Sequence, residues 1–409
     1  MNKKNIKFLC LMFACFMLAM HVFGESPRVV YGTGNTVTIS KDEYESLKRK
    51  IDALSKYELV EEARQYIEKF YYKEPDEQAM LDGAVQGLLH GTNDAYTFYY
   101  PEEAWKTMWE ENEGKYAGIG VQMLGSWRDS SVTIVRVFKD TPAEKAGLRK
   151  GDVFYKVEDI EVTTSTMQDA VNTMRGKPGE KVTVEVLRDG DILTFELTKA
   201  AINVNNVEYA MLDNDIGLIA IYDFAGDADK EFKKALDDMM QKGAKSLILD
   251  MRDNPGGWVE LGVNIADVFL DKELLFYTED RQGHQQKTYT NKGKIDIPLV
   301  LLVNGNSAST SEILAGALKD YNRAKIVGTN TFGKGIIQNV VQMSDGKSGM
   351  QFTVAQYFTP KGHKVHELGI APHIEIELPE EEKNAFFDFG SLNDDQLKRA
   401  YDEALKYIN

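Results

Sequence analysis

The sequence predicts an α/β protein in a multidomain α+β arrangement, with a helical amino-terminal region, a small β-rich domain and a core of alternating strands and helices. Three changes of pattern predict it. Apolar residues recur at helical spacing up to about Met108, short alternating runs with glycine turns follow from about Gly114, and strands alternate with helices from Ile216. A chain of 409 residues can supply two or three domains that each bury a core.

The amino-terminal region is predicted to be helical and polar from Ser40 onward. Its apolar positions lie three to four residues apart, as on one face of a helix: Leu47, Ile51 and Leu54, then Leu59, Ala63 and Ile67. The face from Leu47 to Leu54 could pair with a second copy, but ordinary packing within the chain is the expectation.

The β-rich domain is predicted from short strands joined by tight turns. The predicted strands are 132–137, 153–157, 182–187 and 193–197. One helix, 166–175, interrupts them and carries Met167, Val171 and Met174 on one face. A small sheet with a single helix beside a groove fits this pattern.

The core is predicted from βαβ units, in which buried strands alternate with helices. The predicted strands are 217–221, 246–250, 299–303 and 325–327, and the predicted helices are 232–241, 259–269 and 309–320. A last helix, 394–407, is expected to pack back on the body of the protein.

The first 24 residues have the pattern of a cleaved signal peptide. Three lysines precede an apolar run from Phe8 to Phe23, and the small residue Gly24 follows. The run is shorter than the roughly 20 residues of a membrane-spanning helix, so cleavage is favoured over retention as an anchor. Both cysteines, Cys10 and Cys15, lie in this segment, which excludes a cysteine nucleophile in the mature chain. The expected location is the periplasm or cell envelope.

The chain is acidic, which excludes some partners. It contains 48 Lys and Arg against 64 Asp and Glu, a formal net charge of −16, and loss of the three lysines with the signal peptide would give −19. Such a surface repels the phosphates of nucleic acids and anionic membranes. No nucleic-acid partner is therefore expected.

A serine-rich block follows the buried strand 299–303 and opens a helix. The block, residues 304–312, reads Asn-Gly-Asn-Ser-Ala-Ser-Thr-Ser-Glu. A serine at a strand-to-helix turn exposes its hydroxyl beside the first N–H groups of the helix, which stabilise negative charge. The stretch from Ser309 to Glu312 is also a capping box, and the residues alone favour that alternative.

Two glycine turns accompany this block. Residues 331–338, Thr-Phe-Gly-Lys-Gly-Ile-Ile-Gln, enclose a lysine between glycines, and a lysine acts as a general base when burial lowers its pKa. A plain turn lysine would have the same sequence. Residues 250–257 follow another buried strand and end in Asn-Pro-Gly-Gly, a turn that can present N–H groups to an oxyanion or can be a simple βα connection.

Together these motifs resemble the carboxyl-terminal processing, or tail-specific, serine proteases, which contain a Ser-Ala-Ser-x-Ser-Glu block and a Phe-Gly-Lys-Gly-x-x-Gln block. The resemblance implies that Ser309 is the nucleophile and that Lys334, 25 residues later, is the general base, with Gln338 supporting the lysine. It assigns the oxyanion hole to Gly256, Gly257 and Thr310. It also implies a crotonase-like βαβ spiral as the protease core, and no cofactor or metal. Asp320 falls where some members have a functionally important Asp.

The β-rich domain resembles a PDZ domain. Two stretches carry the resemblance: Tyr-Ala-Gly-Ile-Gly-Val at 116–121, and Thr-Pro-Ala-Glu-Lys-Ala-Gly-Leu-Arg-Lys-Gly-Asp at 141–152. It implies that N–H groups of the first stretch capture the carboxyl terminus of a peptide, which adds a strand beside them. The implied peptide-binding residues are Gly118, Ile119, Gly120 and Val121, with Met167, Val171 and Met174 lining the groove or packing in the core.

The predicted organisation is a signal peptide at 1–24, a helical region at 25–112, a PDZ domain at 113–200, a serine protease core at 201–378 and a helical tail at 379–409. The resemblance implies an exported endopeptidase that cleaves proteins or peptides with free carboxyl-terminal tails through an acyl-enzyme. It allows a homo-oligomer and a regulatory or adaptor protein as partners. Arg175 lies where related proteases have an arginine that couples tail binding to activation, although an ordinary helix-terminal arginine is the alternative.

Four places depart from the family pattern. Residues 93–97 replace Leu-Asp-Pro-Tyr-Ser and residues 369–373 replace Gly-Ile-x-Pro-Asp, and neither segment is expected to touch the serine and lysine of the dyad. Trp258 stands where an aliphatic residue is usual, and Thr310 stands where alanine is common. These two changes bear on the shape of the oxyanion hole and on substrate preference.

Other functions are less well supported by the sequence. A Ser/His/Asp site would need a histidine in a glycine-framed turn, and His363 and His366 lack a third ligand for a metal site. A non-catalytic PDZ-type peptide-binding or chaperone protein is the main alternative, and retention of Ser309, Lys334 and Gln338 together argues against it. An acyl-CoA enzyme with the same spiral fold is disfavoured by export and by the PDZ-like domain.

Overall fold

The computed structural model describes residues 30–31, 37–126, 129–291, 293–379 and 387–408. The signal-peptide segment and both cysteines lie outside the described residues. The chain divides into two compact units, one up to residue 85 and one from residue 86 onward. In the described ranges, no helix is long and apolar enough to cross a membrane.

The first unit is helical, as predicted. Its elements are the short antiparallel pair β1 (Val30–Tyr31) and β2 (Val37–Thr38) and the helices α1 (Lys41–Leu54), α2 (Glu58–Phe70) and α3 (Glu77–His90), of which α3 continues past residue 85. Ser40 begins α1 with a capping box, because its hydroxyl accepts from the Glu43 amide and its own amide donates to the Glu43 carboxylate.

The apolar face of α1 is exposed in the part of the chain that the structure describes. Leu47, Ile51 and Leu54 are 47%, 65% and 67% exposed, and no residue of α1 or α2 is buried. Within the described residues, the packing expected for this face is therefore not observed. An amphipathic pattern specifies a face that can be covered but not what covers it.

The second unit opens with β3 (Phe98–Tyr100) and α4 (Glu102–Asn112), and the β-rich domain follows. The elements of that domain are β4 (Lys115–Gly118), β5 (Val121–Gly125), β6 (Val132–Val137), α5 (Pro142–Ala146), β7 (Val153–Val157), β8 (Ile160–Glu161), α6 (Met167–Met174), β9 (Lys181–Arg188), β10 (Asp191–Thr198) and β11 (Ala200–Asn203). Its sheet has the order β10-β9-β7-β6-β5, with β8 beside β7, so β5 is an edge strand.

Two strands connect this domain to the rest of the unit. β4 and β11 pair antiparallel with each other, from Gly118 opposite Ala200 to Lys115 opposite Asn203. The chain therefore leaves and re-enters the core through neighbouring strands.

The core contains the predicted βαβ series. Its elements are β12 (Val207–Leu212), β13 (Ile216–Ile221), α7 (Ala228–Gln241), β14 (Ser246–Asp250), α8 (Val259–Ala266), β15 (Leu274–Asp280), β16 (Gln285–Tyr289), β17 (Leu299–Val303), α9 (Thr310–Asp320), β18 (Lys325–Gly328), β19 (Ile336–Gln342), β20 (Gly349–Phe358), β21 (Ile374–Glu375) and α10 (Asp395–Leu405). The main sheet has the order β12-β13-β14-β17-β18-β21 and is parallel except for β12.

Both faces of the main sheet are covered, because successive strand residues point to opposite sides. Leu247 and Leu249 pack with α7, α8 and α9, whereas Ile248 packs with α10 on the other face. A buried ion pair fixes α10: the Arg252 guanidinium lies 2.7 Å from Asp250 and 2.7 Å from Asp394, the residue that caps this helix.

A second, antiparallel sheet carries the loop that contains Lys334. Its order is β16-β15-β20-β19, and β3 pairs with β20 through Phe98 opposite Gln351. β3 comes from the sequence before the β-rich domain, so the core sheets are built from both sides of that domain. The sequence motifs do not reveal this pairing.

Candidate active site

Ser309 lies between β17 and α9 in a strained conformation. Its φ of 55° and ψ of −115° are outside the regions that L-residues favour, and such backbone costs about 1–3 kcal/mol. Two groups hold it there: the Ser309 amide donates to the Glu312 carboxylate at 2.9 Å, and the Tyr357 hydroxyl donates to the Ser309 carbonyl at 3.1 Å. The side chain is half-buried at the turn.

The hydroxyls of the two neighbouring serines, Ser307 and Ser311, form internal hydrogen bonds. Ser307 and Ser311 are both 0% exposed. The Ser307 hydroxyl donates to the Met251 carbonyl at 2.8 Å, and the Ser311 hydroxyl donates to the Asn254 carbonyl at 3.0 Å. Of the three serines in the block, Ser309 is therefore the one that is not fully buried.

The turn after β14 packs directly against Ser309. Gly256 and Gly257 have φ of 108° and 122°. A Cβ on Gly256 would lie 2.8 Å from the Ser309 Cβ, and one on Gly257 would lie 2.4 Å from the Phe224 carbonyl oxygen. Only glycine fits either position, which brings the backbone of the turn into contact with the serine.

Two amides beside Ser309 are available to an oxyanion. Within the described ranges, the N–H groups of Gly257 and Thr310 donate to no other protein group, whereas the Gly256 amide donates to Asn254 Oδ1 at 2.9 Å. Asn254 is fully buried and also donates to the Ile221 carbonyl at 2.8 Å. Asn254 therefore shapes the turn, a role that sequence reasoning missed although the residue stands in the quoted motif.

Trp258 follows the turn directly and forms part of an aromatic pair. Its ring stacks on Trp109 with the centroids 5.9 Å apart, and the two rings are 37% and 38% exposed. Trp109 comes from α4, before the β-rich domain. The departure from an aliphatic residue at this place thus creates an exposed aromatic surface beside the glycine turn.

The lysine loop is held by close backbone contact. Gly333 has φ 92°, and a Cβ on Gly335 would lie 2.1 Å from the His366 backbone nitrogen. The Glu367 amide donates to the Gly333 carbonyl at 2.8 Å. The glycines around Lys334 are thus required by the segment that packs on them.

Glu312 joins the serine loop to the lysine loop. Its carboxylate is 0% exposed and accepts four hydrogen bonds: from Ser309 N at 2.9 Å, Lys334 N at 2.8 Å, Gly333 N at 2.7 Å and Thr331 Oγ1 at 2.6 Å. Burial raises the pKa of Glu312, and these hydrogen bonds oppose that shift. The sequence placed Glu312 in a capping box and at the end of the serine-rich block, but did not predict that it joins the two loops.

The Lys334 ammonium lies over an aromatic ring. Nζ is 4.7 Å from the centroid of the Tyr96 ring. Burial lowers the pKa of Lys334, and the negative charges of Asp94 and Glu312 oppose that shift. Among the described residues, no hydrogen bond joins Lys334 Nζ to Ser309, so the structure brings the two loops together without the side-chain contact.

Two segments and Gln338 were expected to have particular relations to Lys334 and its loop. The expectation that segment 93–97 does not touch the proposed dyad is wrong, because Tyr96 contacts Lys334. Segment 369–373 instead packs on the lysine loop, where a Cβ on Gly333 would lie 3.2 Å from the Gly369 nitrogen. Gln338 Nε2 donates to the Thr353 hydroxyl at 3.4 Å, and in the described ranges no hydrogen bond joins Gln338 to Lys334.

The histidines and Asp320 lie in other surroundings. The buried Asp320 carboxylate accepts from the Lys361 amide at 2.8 Å and lies 3.1 Å from the Nδ1 of the exposed His363. These contacts fix the turn after β20. In the described part of the chain, no group of histidines and carboxylates is arranged to hold a metal ion.

The proposed peptide groove lies between β5 and α6. Within the described ranges, the Ile119 and Gly120 amides donate to no other group, while the Ile119 carbonyl accepts from Ala143 and the Gly120 carbonyl accepts from Phe138. Gly118 ends β4 and Val121 begins the edge strand β5. Such a loop with free amides beside an open strand edge can bind a carboxylate and an added strand.

The apolar residues of α6 divide between groove and core. Met174 is 3% exposed and belongs to the domain core, whereas Met167 and Val171 are half-buried. At the carboxyl end of α6, the Arg175 guanidinium lies 5.2 Å from the centroid of the Tyr116 ring, and the Arg175 carbonyl accepts from Lys199 at 2.8 Å.

Comparisons with known families identify three regions. Residues 215–376 match peptidase family S41, residues 116–198 match the PDZ domain, and residues 20–104 match the activating protease CtpB N-terminal domain. These matches agree with the helical region, β-rich domain and α/β core described above.

Individual relatives extend over most of the chain. The carboxy-terminal processing protease CtpA of Bacillus subtilis (strain 168) is 33% identical over 376 residues, which are 91% of this chain and 79% of that protein. A probable CtpA-like serine protease of Staphylococcus haemolyticus is 30% identical over 387 residues, 93% of this chain and 75% of that protein. The solved structure of a photosystem II D1 C-terminal processing protease has a TM-score of 0.52 at 31% identity, over 77% of this chain and 87% of that one. The predicted family and fold class are confirmed, and the chain belongs to peptidase family S41 as a carboxy-terminal processing serine protease with a PDZ domain.

Proposed function

We propose that this protease is exported and uses a dyad of Ser309 and Lys334 to cleave proteins or peptides selected by their carboxyl-terminal tails. The observation that carries the dyad is the shared anchor of its two backbones. The buried Glu312 carboxylate accepts the amide of Ser309 at 2.9 Å and the amide of Lys334 at 2.8 Å. One group thus fixes the separation of nucleophile and base, which supports their acting as a unit.

In the proposed mechanism, neutral Lys334 takes the proton of the Ser309 hydroxyl as the oxygen attacks the scissile carbonyl. The lysine then donates that proton to the leaving amine, and water hydrolyses the acyl-enzyme. The Gly257 and Thr310 amides hold the oxyanion, and one good donor contributes about 3–4 kcal/mol to the rate. Gln338 supports the lysine as Nζ takes the serine proton.

The dyad is tested by substitution and by pH. Ser309→Ala and Lys334→Ala should each abolish cleavage of an unfolded model protein, and so should Lys334→Arg, because a guanidinium keeps its proton. Since burial lowers the Lys334 pKa from 10.5, activity should rise with pH to a midpoint below that value. Turnover at the wild-type rate in either alanine variant, or a rate that does not change with pH, would refute the dyad.

The PDZ domain is proposed to bind the free carboxyl terminus of the substrate. The unpaired amides of Ile119 and Gly120 would bind the carboxylate, and the tail would pair with the open edge of β5 beside Met167 and Val171. A peptide with a free apolar terminus should therefore bind, and its amidated form should bind at least tenfold more weakly, roughly the loss of one charge-assisted hydrogen bond. Isothermal titration of the inactive Ser309→Ala protein measures both. Equal affinities would contradict tail recognition.

Arg175 is proposed to couple tail binding to activity. Its position at the end of α6, against Tyr116 of β4, places it between the groove helix and the strand that leads into the core. Arg175→Ala should weaken stimulation of cleavage by a tail peptide and leave peptide affinity nearly unchanged. Unaltered stimulation would favour an ordinary helix-terminal arginine.

Export and assembly belong to the same proposal. Amino-terminal sequencing of the native protein should give a start near Glu25, and a start at Met1 in a membrane fraction would mean that the apolar segment is an anchor.

The exposed apolar face of α1 supports a homo-oligomer, which light scattering of the wild type and of Ile51→Lys would test. A monomeric wild type would contradict it.

A further inference from the structure

A short segment before the β-rich domain contacts the proposed base. In residues 93–97, the Asp94 carboxylate accepts from the Tyr96 amide at 3.0 Å and from the Thr97 hydroxyl at 2.6 Å. These bonds form a tight local turn. The turn places the Tyr96 ring against the Lys334 ammonium, with 4.7 Å between Nζ and the ring centroid.

The segment is attached to the sheet that carries the lysine loop. Gln351 Nε2 donates to the Tyr96 carbonyl at 3.2 Å, and the Thr353 amide donates to the Thr97 hydroxyl at 3.2 Å. Both partners lie on β20, the neighbour of β19, into which the lysine loop runs. Tyr96 is thus fixed relative to Lys334 by a sheet and not by a free loop.

The same strand also engages Gln338. Gln338 Nε2 donates to the Thr353 hydroxyl at 3.4 Å. Thr353 therefore contacts both the segment that holds Tyr96 and the glutamine assigned to support the lysine. The lysine surroundings are one connected arrangement built from parts of the chain more than 230 residues apart.

We propose that Tyr96 and Asp94 are positioning residues for Lys334, in that the Tyr96 ring holds the lysine ammonium and Asp94 fixes the ring in place. This inference rests on the proposed function, because it gives Lys334 the role of base. When Lys334 takes the Ser309 proton, the ammonium that forms is attracted to the face of the ring, and the attraction is lost when the proton passes to the leaving amine. The ring thus favours the protonated lysine of the acylation step.

The carboxylates near the lysine also favour its protonated form. Burial lowers the Lys334 pKa, while the carboxylates of Asp94 and Glu312 oppose the shift, and His366 faces Asp94. Loss of the Tyr96 ring or of the Asp94 charge removes an attraction that favours the protonated form of Lys334. Either change should therefore move the Lys334 pKa, and with it the pH midpoint of activity, to lower pH.

The test compares Tyr96→Phe, Tyr96→Leu and Asp94→Asn in the full chain, with kcat, KM and the pH midpoint measured on one unfolded model protein. Tyr96→Phe keeps the ring and should behave as the wild type. Tyr96→Leu should lower kcat about three- to tenfold with little change in KM and lower the pH midpoint by roughly half a unit to one unit. Asp94→Asn should shift the midpoint in the same direction.

A matched control is Tyr289→Leu, which removes an exposed ring from β16 of the same sheet. Its midpoint should equal that of the wild type even if its melting temperature falls. If Tyr96→Leu does not fold, Asp94→Asn decides alone.

An unchanged midpoint in Tyr96→Leu and Asp94→Asn would overturn the inference. An equal shift in Tyr289→Leu, or a Tyr96→Phe variant as impaired as Tyr96→Leu, would overturn it as well. The Lys334→Ala variant distinguishes a wrong assignment of the base from a wrong assignment of Tyr96. If that variant keeps its activity, the assignment of the base itself fails; if it is inactive while the Tyr96 variants behave as wild type, only the role of Tyr96 fails.

Discussion

Replacing Ser309 with glycine should stabilise the folded protein while it abolishes cleavage. The φ of 55° and ψ of −115° at Ser309 force its Cβ against the backbone, and glycine has no Cβ. Ser309→Ala is the reference, because it removes the hydroxyl and keeps the strain. The comparison between these two variants isolates the conformational energy stored at Ser309.

The expected difference follows from three terms. Relief of strain contributes about 2 kcal/mol in favour of glycine. The greater entropy of glycine in the unfolded chain opposes it by about 0.7 kcal/mol, and loss of a half-buried methyl group opposes it by about 0.4 kcal/mol. The glycine variant should therefore have an unfolding free energy about 1 kcal/mol higher than the alanine variant.

Urea unfolding followed by tryptophan fluorescence measures the difference between the two variants. Lys234 in the middle of α7 provides the control, since in a helix interior glycine should be about 1 kcal/mol less stable than alanine. The sign of the glycine-alanine difference should thus reverse between the two positions. If Ser309→Gly is no more stable than Ser309→Ala while the Lys234 pair behaves as expected, the strain at Ser309 is refuted.

Three further changes test contacts around the site. Glu312→Gln should lower the unfolding free energy by about 2–5 kcal/mol and reduce kcat, because an amide nitrogen would face donors that the carboxylate now accepts; wild-type values in urea unfolding and kinetics would contradict this. Gly335→Ala should inactivate the enzyme, since its Cβ would lie 2.1 Å from a neighbouring backbone nitrogen, whereas Gly87→Ala, with open space around it, should retain activity. Arg252→Ala should lower the unfolding free energy by about 3–5 kcal/mol and expose α10 to limited proteolysis, because Asp394 would lose its buried partner; an unchanged digestion pattern would contradict it.

The βαβ core and the small β-rich domain were predictable because their signals are local. The strand 246–250 and the helix that begins after Ser309 can be recognised from short windows of apolar residues and turn residues. The spacing of Ser309 and Lys334 then links two motifs through a family resemblance.

What could not be predicted depends on pairing between distant parts of the chain. No local pattern brings Tyr96 to Lys334, because the contact depends on β3 joining β20 across the whole β-rich domain. Glu312 was concealed for a different reason. A glutamate that caps a helix and a buried glutamate that accepts four hydrogen bonds look identical in the sequence. Only the packing of the folded chain distinguishes them.

The antiparallel pair of β4 and β11 has a consequence for protein engineering. Because the two connections of the PDZ domain are hydrogen-bonded neighbours, their ends are about one strand spacing apart, roughly 4.8 Å. A foreign recognition domain with similarly close termini could be grafted onto this ladder without displacing either part of the core. The recognition domain could then be changed while the catalytic core stays the same.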